Sequence, residues 1–115
     1  MQWALLVLVV AALGGLGLAA IRLSGAPRPP TWMALGHGAV AATGLGLLAY
    51  AAVSVGLPAM AQLALGVFVL AAIGGAVLFV GFHLKERPLP IPLVIGHGLT
   101  AITALVLLLV SYFSS

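Results

Sequence analysis

A chain of 115 residues that is 64% hydrophobic and 4% charged, with a mean hydropathy of +1.37, has too little polar surface to cover a soluble domain, where about a quarter of the residues carry charge. Its net charge of +3 is too sparse to grip nucleic acid. With no cysteine, disulfides, thiolate metal sites and covalent c-type haem attachment are excluded. The expected class is an all-α integral membrane protein.

A helix crosses the hydrocarbon core with about 20 mostly apolar residues. The first stretch to qualify is Trp3–Ile21, which carries the pair Gly14 and Gly15. Its start, MQWALLVLVV, lacks the basic n-region of a cleaved leader, so it is expected to be a retained helix. RLSGAPRPP (Arg22–Pro30) is a loop by its proline and charge content. The second span, Thr31–Ser54, contains Gly36-His37-Gly38, and VGLP (Val55–Pro58) makes a short turn after it. The third span, Ala59–His83, carries Gly74 and Gly75; the loop LKERPLPIP (Leu84–Pro92) follows. The fourth, Ile91–Phe113, contains Gly96-His97-Gly98. Such short connections favour antiparallel neighbours, so the expected shape is an up-down four-helix transmembrane bundle.

Arg22, Arg28, Lys85, Glu86 and Arg87 all fall in the first and third loops. The positive-inside rule then places those loops in the cytoplasm and both termini outside, as in a bacterial inner membrane. Trp3 and Tyr112 are expected at the outer interface and Trp32 at the inner one.

Sliding the chain by sixty residues aligns 1–55 with 61–115 without a gap. Twenty of the 55 pairs are identical, against roughly one in eight by chance for so biased a composition. The identities include Gln2/Gln62, Gly14/Gly74, Gly15/Gly75, Pro30/Pro90, both GHG triplets, Ala41/Ala101, Thr43/Thr103 and Ser54/Ser114. Two parallel two-helix repeats are expected, related by a two-fold axis along the membrane normal. His37 and His97 then share one depth, on diagonal helices two and four. His37 lies seven residues past Pro30, on the order of 10 Å inside the cytoplasmic boundary.

Ionisable groups inside a bilayer are costly and face the bundle interior. A neutral imidazole bonded to a neighbouring carbonyl is the purely structural explanation for one histidine, and duplication at equal depth weakens it. Glycines 36, 38, 96 and 98 flank the rings, and Gly14, Gly15, Gly74 and Gly75 bring helices one and three to the same level. Small residues of this kind commonly serve close helix packing, which accounts for the glycines but not for two histidines in their layer. A haem accounts for both. Diagonal helices lie roughly 11–14 Å apart when neighbours are about 8–10 Å apart, a gap that suits imidazole–iron–imidazole. The macrocycle's edges would face the glycines of helices one and three, with propionates near Arg22, Arg28, Lys85 and Arg87.

This layout resembles that of small membrane b-type cytochromes, including the cytochrome b561 type, in which histidines on alternate helices clamp a haem. The resemblance is architectural, carried by the bundle and the paired GHG, and implies b-type haem binding and electron transfer through His37 and His97. Cytochrome b561 proteins have two histidine pairs where this chain has one. That points to a small subunit of a larger redox complex, with membrane quinone as a further candidate partner.

Two other functions fit the same residues. Each histidine could ligate the magnesium of its own (bacterio)chlorophyll, or the chain could be a cofactor-free accessory subunit. Small multidrug transporters share the length but rely on a membrane-embedded Glu in helix one, which this chain lacks. No His–carboxylate–nucleophile set or phosphate loop supports hydrolysis. His83 has no twin, since Leu23 occupies its matching position. It is expected as an interfacial anchor, with a quinone or propionate contact as the alternative. Thr43 and Thr103 are expected to bond back to their own helices.

Overall fold

In a computed structural model, residues 1–114 are described. They form α1 (Gln2–Leu23), α2 (Thr31–Ser54), α3 (Ala59–Ala76, continued without a break by a π-helical segment, Val77–His83) and α4 (Ile91–Ser114). The bounds fall within two residues of those expected from hydropathy. Four helices are long and apolar enough to cross a membrane.

Local chemistry sets the ends. Pro30 and Pro58 cap α2 and α3 at extended backbone angles, and Pro92 occupies the first turn of α4, where a missing N–H costs nothing. Gly56 closes the turn between α2 and α3 at φ +89, and Gly25 bends the first loop at φ +119, conformations that side chains with a Cβ resist. Thr43 and Thr103 do bond back to the carbonyls of Ala39 and Leu99, each at 2.8 Å.

Around the bundle the neighbours are α1–α2, α2–α3, α3–α4 and α4–α1, which leaves α2 and α4 across the diagonal. The larger apolar core occupies the end that holds the chain termini. It includes Ala4, Leu8, Leu48, Ala64, Phe68, Ala104 and Leu108. Its members recur sixty residues apart: Ala4 and Ala64, Leu8 and Phe68, Leu48 and Leu108 are all buried. Gly44 and Ala104 complete the pattern. A Cβ on Gly44 would come within 2.7 Å of Leu8 Cγ, so that residue must be glycine for Leu8 to dock. A smaller cluster of Leu78, Leu89 and Val94 closes the other end. Between the two clusters lies the histidine layer.

The first and third loops are tied to each other. Arg22 Nε donates to the Leu89 carbonyl at 2.8 Å, and Leu89 N–H donates to the Pro27 carbonyl at 3.1 Å. Arg28 Nη1 donates to the His83 carbonyl at 3.2 Å. The Leu89 and Pro27 carbonyls are loop acceptors satisfied in this way, while the His83 carbonyl also accepts the Glu86 N–H at 3.1 Å. These bonds also fix the two hairpins in register at that end.

Candidate functional site

His37 on α2 and His97 on α4 meet across the diagonal. Their ring centroids are 6.3 Å apart and their planes cross at 85°. Each ring is held by the preceding helix: His37 Nδ1 lies 2.9 Å from the Ala11 carbonyl, and His97 Nδ1 lies 2.8 Å from the Ala71 carbonyl. A carbonyl can only accept, so each Nδ1 must carry the proton. That fixes the tautomer and leaves a lone pair on Nε2, which makes no hydrogen bond among the described residues. A histidine whose Nδ1–H is anchored on a carbonyl while Nε2 stays open is the usual arrangement of a metal-ligating imidazole.

The spacing can be tested against a shared metal. An imidazole nitrogen–metal bond of about 2.0 Å, plus about 1.1 Å from that nitrogen to its ring centre, places two trans imidazoles about 6.2 Å apart. The observed separation of the ring centres is 6.3 Å.

The glycines divide into two kinds. A Cβ on Gly15 would lie 2.9 Å from His37 Cε1, and one on Gly75 would lie 3.0 Å from His97 Cε1. These two glycines are the surfaces against which the imidazole edges rest. Gly14 and Gly74 stand one step aside, at 3.9 Å and 3.7 Å from their rings. The faces expected to meet a macrocycle edge are thus met by the histidines themselves. Gly36, Gly38 and Gly96 are exposed and Gly98 half-buried, and a Cβ at any of the four would enter open space. They flank the two histidines in sequence.

Of the four basic residues expected near propionates, Arg22 and Arg28 already serve loop carbonyls. Lys85 and Arg87 are exposed in the third loop.

His83 departs most from expectation. It is 3% exposed, whereas its counterpart Leu23 is 53% exposed. The cause is the π-helical segment: the matching stretch of α1 is α-helical. An i→i+5 ladder adds a residue to each turn and re-aims everything after it. His83 therefore turns inward, stacks on Phe79 at 5.2 Å, and brings Nε2 to 3.0 Å from Thr31 Oγ1. Hydropathy carries no trace of the π-turns. The sequence signal was the unpaired His–Leu mismatch in the repeat.

No family model, curated protein or solved structure matches this chain.

Proposed function

We propose that this is a membrane-intrinsic b-type electron-transfer protein that holds one haem between His37 and His97. The observation that carries this is the matched pair: two Nε2 atoms left without a hydrogen bond among the described residues, on carbonyl-anchored rings whose centres lie 6.3 Å apart. Imidazole is an established axial ligand of haem, and with no cysteine the group would be held without a covalent bond. When bound, the haem supplies one-electron chemistry. The protein residues fix ligand tautomer and orientation, and the Ala11 and Ala71 carbonyls raise ligand basicity through the Nδ1–H bonds.

In this proposal the four helices span a bacterial inner membrane as two parallel repeats, with both termini outside and the charged loops in the cytoplasm. The pair lies nearer the charged loops, and the remaining half of the bundle is filled by apolar side chains. One centre near one face cannot relay electrons across about 30 Å of hydrocarbon. The chain therefore works beside other membrane subunits, which its apolar outer faces suit.

The deciding measurement is the absorption spectrum of detergent-purified protein, oxidised and reduced. Sharp reduced α and β bands support haem. A far-red band would replace it with chlorophyll, and a bare 280 nm band would leave a structural subunit.

A further inference from the structure

A rigid macrocycle reaches a ligand pair inside a helical bundle only where two neighbouring helices part. Under the sixty-residue correspondence the α1–α4 and α2–α3 seams are counterparts, yet α2 and α3 touch least of the four neighbouring pairs. The difference shows along α2. Ala34, Gly38 and Leu47 are each more exposed than Val94, Gly98 and Leu107, their counterparts on α4. At the loop end, side chains bridge this thin seam. His83, at the end of the π-helical segment, brings Nε2 to 3.0 Å from Thr31 Oγ1 on the first turn of α2. Its carbonyl accepts Arg28 Nη1 at 3.2 Å. The His83–Thr31 bridge has no twin: the matching pair across the α1–α4 seam is Leu23 and Ile91, whose side chains carry no polar atom. At the far end α2 and α3 are joined by the turn in which Gly56 stands at φ +89. Hinges are commonly a few loop or helix-end residues of this kind.

We infer that the α2–α3 seam is a lateral gate to the histidine pair, hinged at Gly56 and latched by His83 on Thr31. For what passes it, a planar haem, the inference rests on the proposal above; the opening itself does not. The other three seams are worse candidates. α1–α2 and α3–α4 are the closely packed hairpins. α1–α4 is the better packed of the two counterpart seams, and Arg22 Nε on the Leu89 carbonyl at 2.8 Å holds its loop end. The α1–α2 hairpin, with His37 held on the Ala11 carbonyl, therefore swings as one body about the α1–α4 seam. His97 stays behind between α3 and α4, its Nδ1 on the Ala71 carbonyl. The latch sits six residues before His37, about 9 Å along α2, so its release frees the helix close to the ligand. The π-helical segment makes the latch. Without it His83 would stand as exposed as Leu23 and could not reach Thr31 from inside the seam.

A reversible lock tests the gate. The chain has no cysteine, so Thr31→Cys with His83→Cys gives a single pair for a short bis-methanethiosulfonate to bridge. Bridged apoprotein in detergent should take up no hemin, followed at the Soret band, until dithiothreitol cleaves the link. The same protein capped with methyl methanethiosulfonate should load freely. Uptake by the bridged form at the capped rate overturns the gate. Thr31 is exposed, so Thr31→Val keeps the fold and removes the latch alone. It should load hemin about fivefold faster, the effect of one lost hydrogen bond. A second reading needs no haem. Spin labels on Trp32→Cys and Lys85→Cys, both exposed positions, report the α2–α3 seam in the apoprotein. Adding Thr31→Val should raise their long-distance population about fivefold in double electron–electron resonance. Labels on Ser24→Cys and Ile91→Cys, across the α1–α4 seam, should not respond. An equal response at both seams, or none at either, overturns the latch. A wild-type protein that takes up no hemin while the α2–α3 labels alone respond would sink the haem proposal and leave the gate standing.

Discussion

His37 and His97, sixty residues apart in sequence, stand 6.3 Å apart between ring centres at 85°, each anchored by Nδ1 on a carbonyl 26 residues earlier. The anchors matter as much as the distance. Without them a ring could rotate or change tautomer, and Nε2 would no longer be the open nitrogen.

Removal of either ring should therefore abolish the site. His37→Ala and His97→Ala are each expected to eliminate the low-spin bis-imidazole spectrum, whereas His83→Ala leaves its bands in place. Full haem retention in either of the first two variants would refute the ligand assignment.

The glycines give a sharper test, because adjacent positions should respond oppositely. Gly15→Ala and Gly75→Ala force a methyl to within 2.9 Å and 3.0 Å of a ring carbon. They should lose haem and destabilise even the apoprotein, by about 1–3 kcal/mol of overpacking. Gly14→Ala and Gly74→Ala meet only ordinary contacts. They should retain haem and gain up to about 1 kcal/mol from helix propensity. Haem occupancy and apo melting temperatures decide it; equal behaviour at 14 and 15 would contradict the ring contacts.

Arg22 is a loop clamp before it is anything else. Arg22→Ala removes the bond to the Leu89 carbonyl, and hydrogen bonds to charged groups are worth about 1.5–3 kcal/mol. That loss should appear in thermal melts with or without haem. Arg87→Ala, in the exposed part of the third loop, should stay within about 0.5 kcal/mol. A stability loss seen only in haem-loaded Arg22→Ala would point instead to a propionate contact.

Topology is checked by labelling. Single cysteines at Ser24 and Ser114, both exposed, are expected to react from opposite sides of the membrane. Reaction from the same side would remove the proposed orientation and the parallel repeats together.

Partners are checked by purification. Mild-detergent extraction from the native membrane should recover the chain with larger subunits. By itself it should show no sustained quinol oxidation with a soluble acceptor. Rapid turnover by the isolated chain would make it a self-contained oxidoreductase.

The number of helices, their bounds and the common end of the charged loops were all legible in the sequence. Each follows from local hydropathy, proline placement and charge, which act over a few neighbouring residues. The repeat added the equal standing of His37 and His97, and the match of buried positions such as Leu48 and Leu108 follows from it. Tertiary structure alone decided what each residue in the layer touches. Gly14 and Gly15 are indistinguishable in sequence, yet one helical step of about 100° turns only Gly15 squarely onto the imidazole. The Ala11 and Ala71 carbonyls have no side-chain signature at all. Arg22 and Arg28 looked free for an anionic ligand until the folded loops supplied carbonyls within their reach. His83 was re-aimed by a π-helical segment that hydropathy cannot register, because a hydropathy average is the same whichever residues of the segment the turns bring inward. Composition fixes which segments are long and apolar enough to cross a membrane. Ring orientation, tautomer and hydrogen-bond partner depend on the phase of one helix against another, and only the packed bundle sets that phase.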